Sequence, residues 1–213
     1  MSTDDLDAIE AGLPEPDPAK LAEVGWWGSL YDEALVNNTL GVPPYDVIEV
    51  ANRIELALRG ADAVLDLGCG TGRLTNHLAS RFPWLELFGT DISEPALNVA
   101  RESALANVRY TLGDGRDLPD TPPVFDAAYS VTVFQHIPIE ATFGYIQQVR
   151  ERLRPGGVFI FTVATGDVDE FLNHQIPDVD EFRNEISELF ESVVVEYDAT
   201  NDWTWITATK EQP

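Results

Sequence analysis

The chain has 213 residues, 44% of them hydrophobic, with 37 acidic against 13 basic side chains and a net charge of −24. That length and apolar content suit one globular α/β domain with a full core, and exclude a disordered chain. The acid excess repels phosphate backbones and anionic lipid surfaces, so neither nucleic acid nor membrane is expected as a partner.

The longest apolar runs, such as Val158–Val163, fall far short of the ~18 residues that span a bilayer. The first residues are acidic and lack the basic-then-apolar order of a signal peptide. Cys69 is the single cysteine, so no intrachain disulfide forms and a cytoplasmic location is the default expectation.

Residues 1–19, rich in acids with Pro14, Pro16 and Pro18, read as a flexible tail. Residues 20–60 read as an N-terminal helical lid. Trp26, Trp27, Leu30, Tyr31, Ala34 and Leu35 recur at helical spacing. After the breaker Gly41-Val42-Pro43-Pro44, the residues Val47, Ile48, Ala51, Ile54, Ala57 and Leu58 form one apolar helix face, closed by Gly60. Residues 61–213 then alternate strands and helices. Ala63–Leu67 is a strand and Arg73–Arg81 a helix with Leu74 and Leu78 inward. Leu85–Gly89 is a strand, and Ser93 caps a helix that runs to about Ala104. Val108–Thr111 and Phe125–Val131 are strands. Ile139–Leu153 is a helix stopped by Pro155-Gly156-Gly157, ahead of the strand Val158–Val163. Asp178–Phe190 is a helix, and Ser192–Tyr197 with Trp203–Thr209 form an antiparallel edge hairpin. Repeated β-α units predict a doubly wound, Rossmann-like sheet of seven strands, mostly parallel, with helices on both faces.

The first site motif is Asp66-Leu67-Gly68-Cys69-Gly70-Thr71-Gly72-Arg73. Glycines between a strand and a helix let the backbone approach a nucleotide cofactor, while the helix N-terminal N–H groups face it. A dinucleotide fingerprint needs a glycine where Arg73 stands, which argues against a nicotinamide oxidoreductase. With Asp66, Gly68, Gly70 and Gly72 in place, the sequence resembles the class I S-adenosylmethionine (SAM)-dependent methyltransferase family.

The resemblance covers residues 62–165 and implies a role for several further residues. Asp91, 23 residues beyond Gly68, follows an apolar strand and is implied to accept the ribose hydroxyls, next to Ile92. Asp114, Gly115 and Arg116, after the third strand, are implied to hold the adenine. Ser130, near the end of the fourth strand, is implied to lie beside the methionine part of SAM. Leu153-Arg154-Pro155-Gly156-Gly157 resembles the family's helix-to-strand turn. His136 is the candidate general base, and Tyr31 a candidate to reach the cofactor from the lid.

The function implied is methyl transfer to an O, N or C atom of a small-molecule acceptor. Non-catalytic SAM binding and aminopropyl transfer on the same fold stay open as alternatives. His77, His136 and His174 are scattered and no Cys pair exists, so no metal site is expected. The oligomeric expectation is a monomer or homodimer.

Overall fold

The structure is a computed structural model. It describes residues 45–120, 122, 124–165, 176, 178–199 and 203–213. The expected tail and most of the expected lid, including Trp26, Trp27 and Tyr31, lie outside the described residues, as do Asp167, Asp169 and His174.

Helix α1 (Val47–Glu55) is capped by Asp46, whose carboxylate accepts the N–H groups of Ile48 and Glu49 at 2.8 and 3.3 Å. The chain then alternates through β1 (Ala63–Leu67), α2 (Arg73–Arg81), β2 (Glu86–Asp91), α3 (Glu94–Glu102), β3 (Val108–Leu112) and β4 (Phe125–Ser130). A short 3-10 turn, Phe134–His136, follows. The rest comprises α4 (Ile139–Arg152), β5 (Leu153–Val163), α5 (Val179–Ser187), β6 (Ser192–Asp198) and β7 (Trp203–Thr209).

The strands make one sheet in the order β3-β2-β1-β4-β5-β7-β6. The first five pair in parallel, and β7 runs antiparallel to both β5 and β6. The doubly wound sheet and edge hairpin are those expected from the sequence. Successive residues point to opposite faces, which builds two apolar layers. Leu65, Phe159 and Phe161 pack with Ile146, Val149, Phe182 and Ile186 on the α4–α5 side. Val64, Tyr129, Ile160 and Trp205 pack with Val50, Ala51, Ile54, Leu74 and Leu78 on the α1–α2 side. The order of β1 and β4 creates a switch point: connections from these two central strands leave to opposite sides, and a crevice opens beyond their carboxyl ends.

Several local expectations need correction. Helix α1 ends at Glu55, with Leu56 as its cap and a turn through Gly60, instead of continuing to Leu58. Ile48 is 58% exposed and Val50 takes its place in the core, because Val50 shares a helix face with Ala51 and Ile54, and that face packs with Leu74 and Leu78 of α2. Strand β2 starts and ends later than Leu85–Gly89, since Leu85 belongs to the turn and pairing with β3 carries the ladder on to Asp91. Helix α4 stops at Arg152, before Pro155 is reached. Leu153 already has extended dihedrals and pairs with Phe125, and a register shift lets Pro155-Gly156-Gly157 sit inside β5 as a bulge.

Candidate active site at the carboxyl ends of β1, β2 and β4

The turn from β1 to α2 is built on three glycines with left-handed backbones: Gly68 (φ +76°), Gly70 (φ +52°) and Gly72 (φ +72°). The N–H groups of Gly68 and Cys69 both donate to the Thr90 carbonyl on β2, at 2.8 and 3.0 Å. Gly72 is the N-cap of α2, and no side chain among the described residues caps the helix, so its first turn relies on other partners for its N–H groups.

Each glycine has a different reason. A β-carbon at Gly68 would overlap Val133 of the loop after β4. One at Gly72 would overlap the Tyr110 ring and hydroxyl. At Gly70 a β-carbon would meet no atom within 4 Å. The loop is therefore packed from beneath at two positions and open at the third, which forms the floor of a cradle.

Asp91 closes one side of this cradle. Its carboxylate accepts the Gly70 N–H at 2.8 Å and the Ser93 N–H at 2.9 Å. Burial pushes its carboxyl up from the ordinary range, while the N–H groups of Ser93, Gly70 and Ile92 pull it down. Ser93 caps α3, its hydroxyl accepting the Ala96 N–H at 3.3 Å.

Asp66 lies below the loop, 4% exposed. The Thr75 hydroxyl donates to it at 2.5 Å. Burial pushes the Asp66 carboxyl up to about 7, against the lowering effect of the Thr75 and Tyr129 hydroxyls, and the charge of Asp91 adds to the rise. Burial also pushes up the Cys69 thiol, helped by the charges of Asp66 and Asp91, so Cys69 stays protonated.

Asp114 stands exposed on the third side. Its carboxylate accepts the N–H groups of Arg116 and Asp117 at 2.9 and 2.8 Å, which folds the loop around buried Gly115 and holds the Asp114 carboxyl below the usual range. Ser130 is buried and donates to the Leu67 carbonyl at 2.9 Å, joining the ends of β1 and β4. His136 ends the 3-10 turn, its N–H donating to the Val133 carbonyl at 2.8 Å.

The structure therefore gathers Asp66, Gly68, Cys69, Gly70, Gly72, Asp91 and Ile92 around one loop. It ties Ser130 to the foot of that loop and sets Asp114, Gly115 and Arg116 in the neighbouring turn. Tyr31 lies outside the described residues. Three contributors escaped the sequence reading. Tyr110 reaches from β3 to fill the space beside Gly72 and donates to Asn76 Oδ1 at 2.9 Å. Val133 caps Gly68. Tyr45 sits under the Arg73 guanidinium, 5.8 Å from its ring centroid, and edge-on to Trp203 at 5.5 Å. The only signal for Tyr45 was an aromatic next to the proline breaker, which reads equally well as a turn.

The open position at Gly70, with the Asp91 carboxylate bonded to its N–H, leaves room for a ligand at the carboxyl ends of the central strands. Among the described residues, no three His, Cys, Asp or Glu side chains converge as a metal set.

Comparison with known proteins agrees with this geometry. A family model described as a methyltransferase domain matches residues 64–157. Trans-aconitate 2-methyltransferase of Deinococcus radiodurans is 39% identical over 100 residues, covering 47% of this chain and 37% of that protein. Malonyl-[acyl-carrier protein] O-methyltransferase of Halalkalibacterium halodurans is 33% identical over 112 residues, covering 49% of this chain and 40% of that protein. The chain thus spans well under half the length of these curated relatives. Among solved structures, magnesium protoporphyrin IX methyltransferase from Synechocystis, with bound SAM, superposes with a TM-score of 0.62 at 18% identity over 91% of this chain and 94% of that one. A SAM-bound amino pentose methyltransferase from Micromonospora echinaspora gives 0.61 at 20% identity, over 85% and 98%. Residues 64–157 thus match a methyltransferase domain, and the chain shares the fold of these SAM-bound methyltransferases.

Proposed function

We propose that the protein transfers the methyl group of SAM to a small-molecule acceptor. The observation that carries this reading is the glycine cradle at Gly70, bonded to Asp91 and open to a ligand at the switch point of the sheet. In it, Asp91 accepts the ribose hydroxyls, Asp114 with Gly115 and Arg116 borders the adenine, and the Gly68–Gly72 turn lines the methionine end. Ile92 and Cys69 add apolar contact, and Ser130 acts through the β1–β4 junction it holds together.

When bound, the sulfonium of SAM supplies a methyl group already activated for in-line displacement. The protein's task is to align donor and acceptor, exclude water and take up a proton when the nucleophile carries one. The Asp91 carboxylate places negative charge beside the cradle, which favours a cationic ligand there. Our candidate to accept the acceptor's proton is His136, a reading supported by its turn being capped by Val133, which packs beside Gly68. Because α1 packs into the core against α2, we assign the lid role expected of residues 20–60 to the part before α1, which carries Tyr31.

By their names, these relatives act on trans-aconitate and on malonyl-[acyl-carrier protein]. The family match ends at Gly157, so it carries the cofactor half and leaves acceptor choice to other segments. With a net charge of −24, a neutral or cationic acceptor is favoured. Among the described residues no helix is long and apolar enough to cross a membrane, and we place the enzyme in the cytoplasm, as a monomer or homodimer without nucleic-acid partners. Calorimetric titration with SAM and S-adenosylhomocysteine, followed by an acceptor screen that detects the demethylated cofactor, tests the reading. A folded protein that binds neither ligand overturns it. Tight SAM binding with no product from any acceptor favours a non-catalytic role.

A further inference from the structure

Immediately after β4 the backbone enters a conformation that no local rule favours. Thr132 has φ +59°, the single positive φ on a non-glycine residue among the described residues. A β-branched side chain is a poor occupant of the left-handed region, so surrounding contacts must hold it there. Two hydrogen bonds do so. The Thr132 N–H donates to the Thr162 hydroxyl at 2.8 Å, and the Thr132 hydroxyl donates to the Val131 carbonyl at 2.7 Å. Thr162 lies on β5, fully buried, and is an anchor set by the sheet.

This turn has a direct structural consequence. Val131 is buried in the layer facing α1 and α2. The reversal at Thr132 brings the next side chain, Val133, onto Gly68, close enough that a β-carbon at Gly68 would overlap it. The 3-10 turn that ends in His136 begins at the same point. One strained residue thus connects the interior of β5 to the wall of the cofactor loop.

We infer that Thr132, clamped by Thr162, is a positioning residue that presses Val133 against Gly68 and so pre-organises the cofactor loop and the acceptor-side turn. This rests on the reading that the loop binds SAM. The strain is held in the free protein, so the ligand meets a loop that is already ordered.

The test uses the full chain, with S-adenosylhomocysteine as the calorimetric probe and thermal unfolding without ligand as the control for folding. Thr132→Gly adopts a left-handed backbone without strain, so the fold is not at risk. It frees the turn, however, and affinity is expected to fall about three- to fivefold, the range that the flexibility of one glycine represents. Its melting temperature is expected to stay within about 4 °C of wild type, because relief of strain offsets the entropy of the unfolded chain. Thr132→Asn, which tolerates the left-handed region, is expected to bind within about twofold of wild type. Thr162→Val removes the acceptor of the Thr132 N–H and is expected to weaken binding about tenfold. Unchanged affinity in Thr132→Gly overturns the inference. So does a loss of affinity that tracks melting and is not restored in Thr132→Asn, which assigns Thr132 to stability alone. Absence of binding by the wild type instead overturns the cofactor reading itself.

Discussion

The Asp91 carboxylate accepts the backbone N–H of Gly70 at 2.8 Å, and so ties the tip of β2 to the open floor of the glycine loop after β1. The residue proposed to receive the ribose also shapes the surface on which the rest of the cofactor lies. Asp91→Ala therefore removes a ligand contact and a loop restraint together. Its affinity for S-adenosylhomocysteine is expected to fall at least about tenfold, the cost of one charge-assisted hydrogen bond. Calorimetry on the folded variant checks this, and affinity equal to wild type would refute the placement of the ribose.

Two alanine substitutions in the same loop separate stability from binding. Gly72→Ala drives a β-carbon into Tyr110 and Ala100 from a left-handed backbone, and is expected to lower stability by about 2–4 kcal/mol. Gly70→Ala meets no atom within 4 Å and is expected to cost only the backbone term, about 1–2 kcal/mol. Its added methyl group protrudes into the cradle, so the loss of ligand affinity should be the larger of the two when both proteins are folded. Denaturant melts beside calorimetry give both numbers, and the reverse ranking in binding would show that the cradle lies elsewhere.

Asp66 makes stability depend on pH. Burial holds its folded-state pKa at about 7, above the ~3.9 of an unfolded aspartate. The folded protein then binds more protons than the unfolded chain between about pH 4 and 7, so this group's contribution falls as pH rises through that window and is fully lost above it. Asp66→Asn keeps an oxygen for the Thr75 hydroxyl and removes the titration. The stability of the variant minus that of wild type should rise from pH 4.5 towards 7 and flatten beyond. Parallel curves across that range would contradict it.

Once an acceptor is known, His136→Gln reports on proton transfer. The expected result is a fall of about 10²–10⁴ in kcat with affinity for S-adenosylhomocysteine unchanged. Undiminished kcat would leave alignment alone as the protein's contribution at that position.

Much of this was legible in advance, for local reasons. The strand, the spaced glycines and Asp66 lie within one short stretch, and the acid at the end of β2 follows from the period of the fold. Contributors that come from distant strands were not. Tyr110 lies 38 residues from Gly72, the carbonyl its hydroxyl approaches at 3.4 Å, and no spacing rule joins them. Thr132 was hidden for the opposite reason: a β-branched residue argues locally against the conformation that the sheet imposes. The early start of β5 at Leu153 was masked by Pro155-Gly156-Gly157, which reads as a stop signal but forms a bulge. Ile48 and Val50 are both apolar and lie on opposite faces of α1, and the face that Val50 shares with Ala51 and Ile54 is the one that packs into the core.

The placement of β7 between β5 and β6 has a consequence for the protein's birth on the ribosome. Strand β6 is synthesised first yet has no neighbour in the sheet until residues 203–209 emerge, because its one strand partner is β7. Until then β5 presents an open edge, and Val193 and Val195 have only α5 and nearby core residues to cover them. A nascent chain that has left the ribosome only as far as residue 202 would have its glycine loop in place beside an unfinished, adhesive flank, the state in which a chaperone would find it.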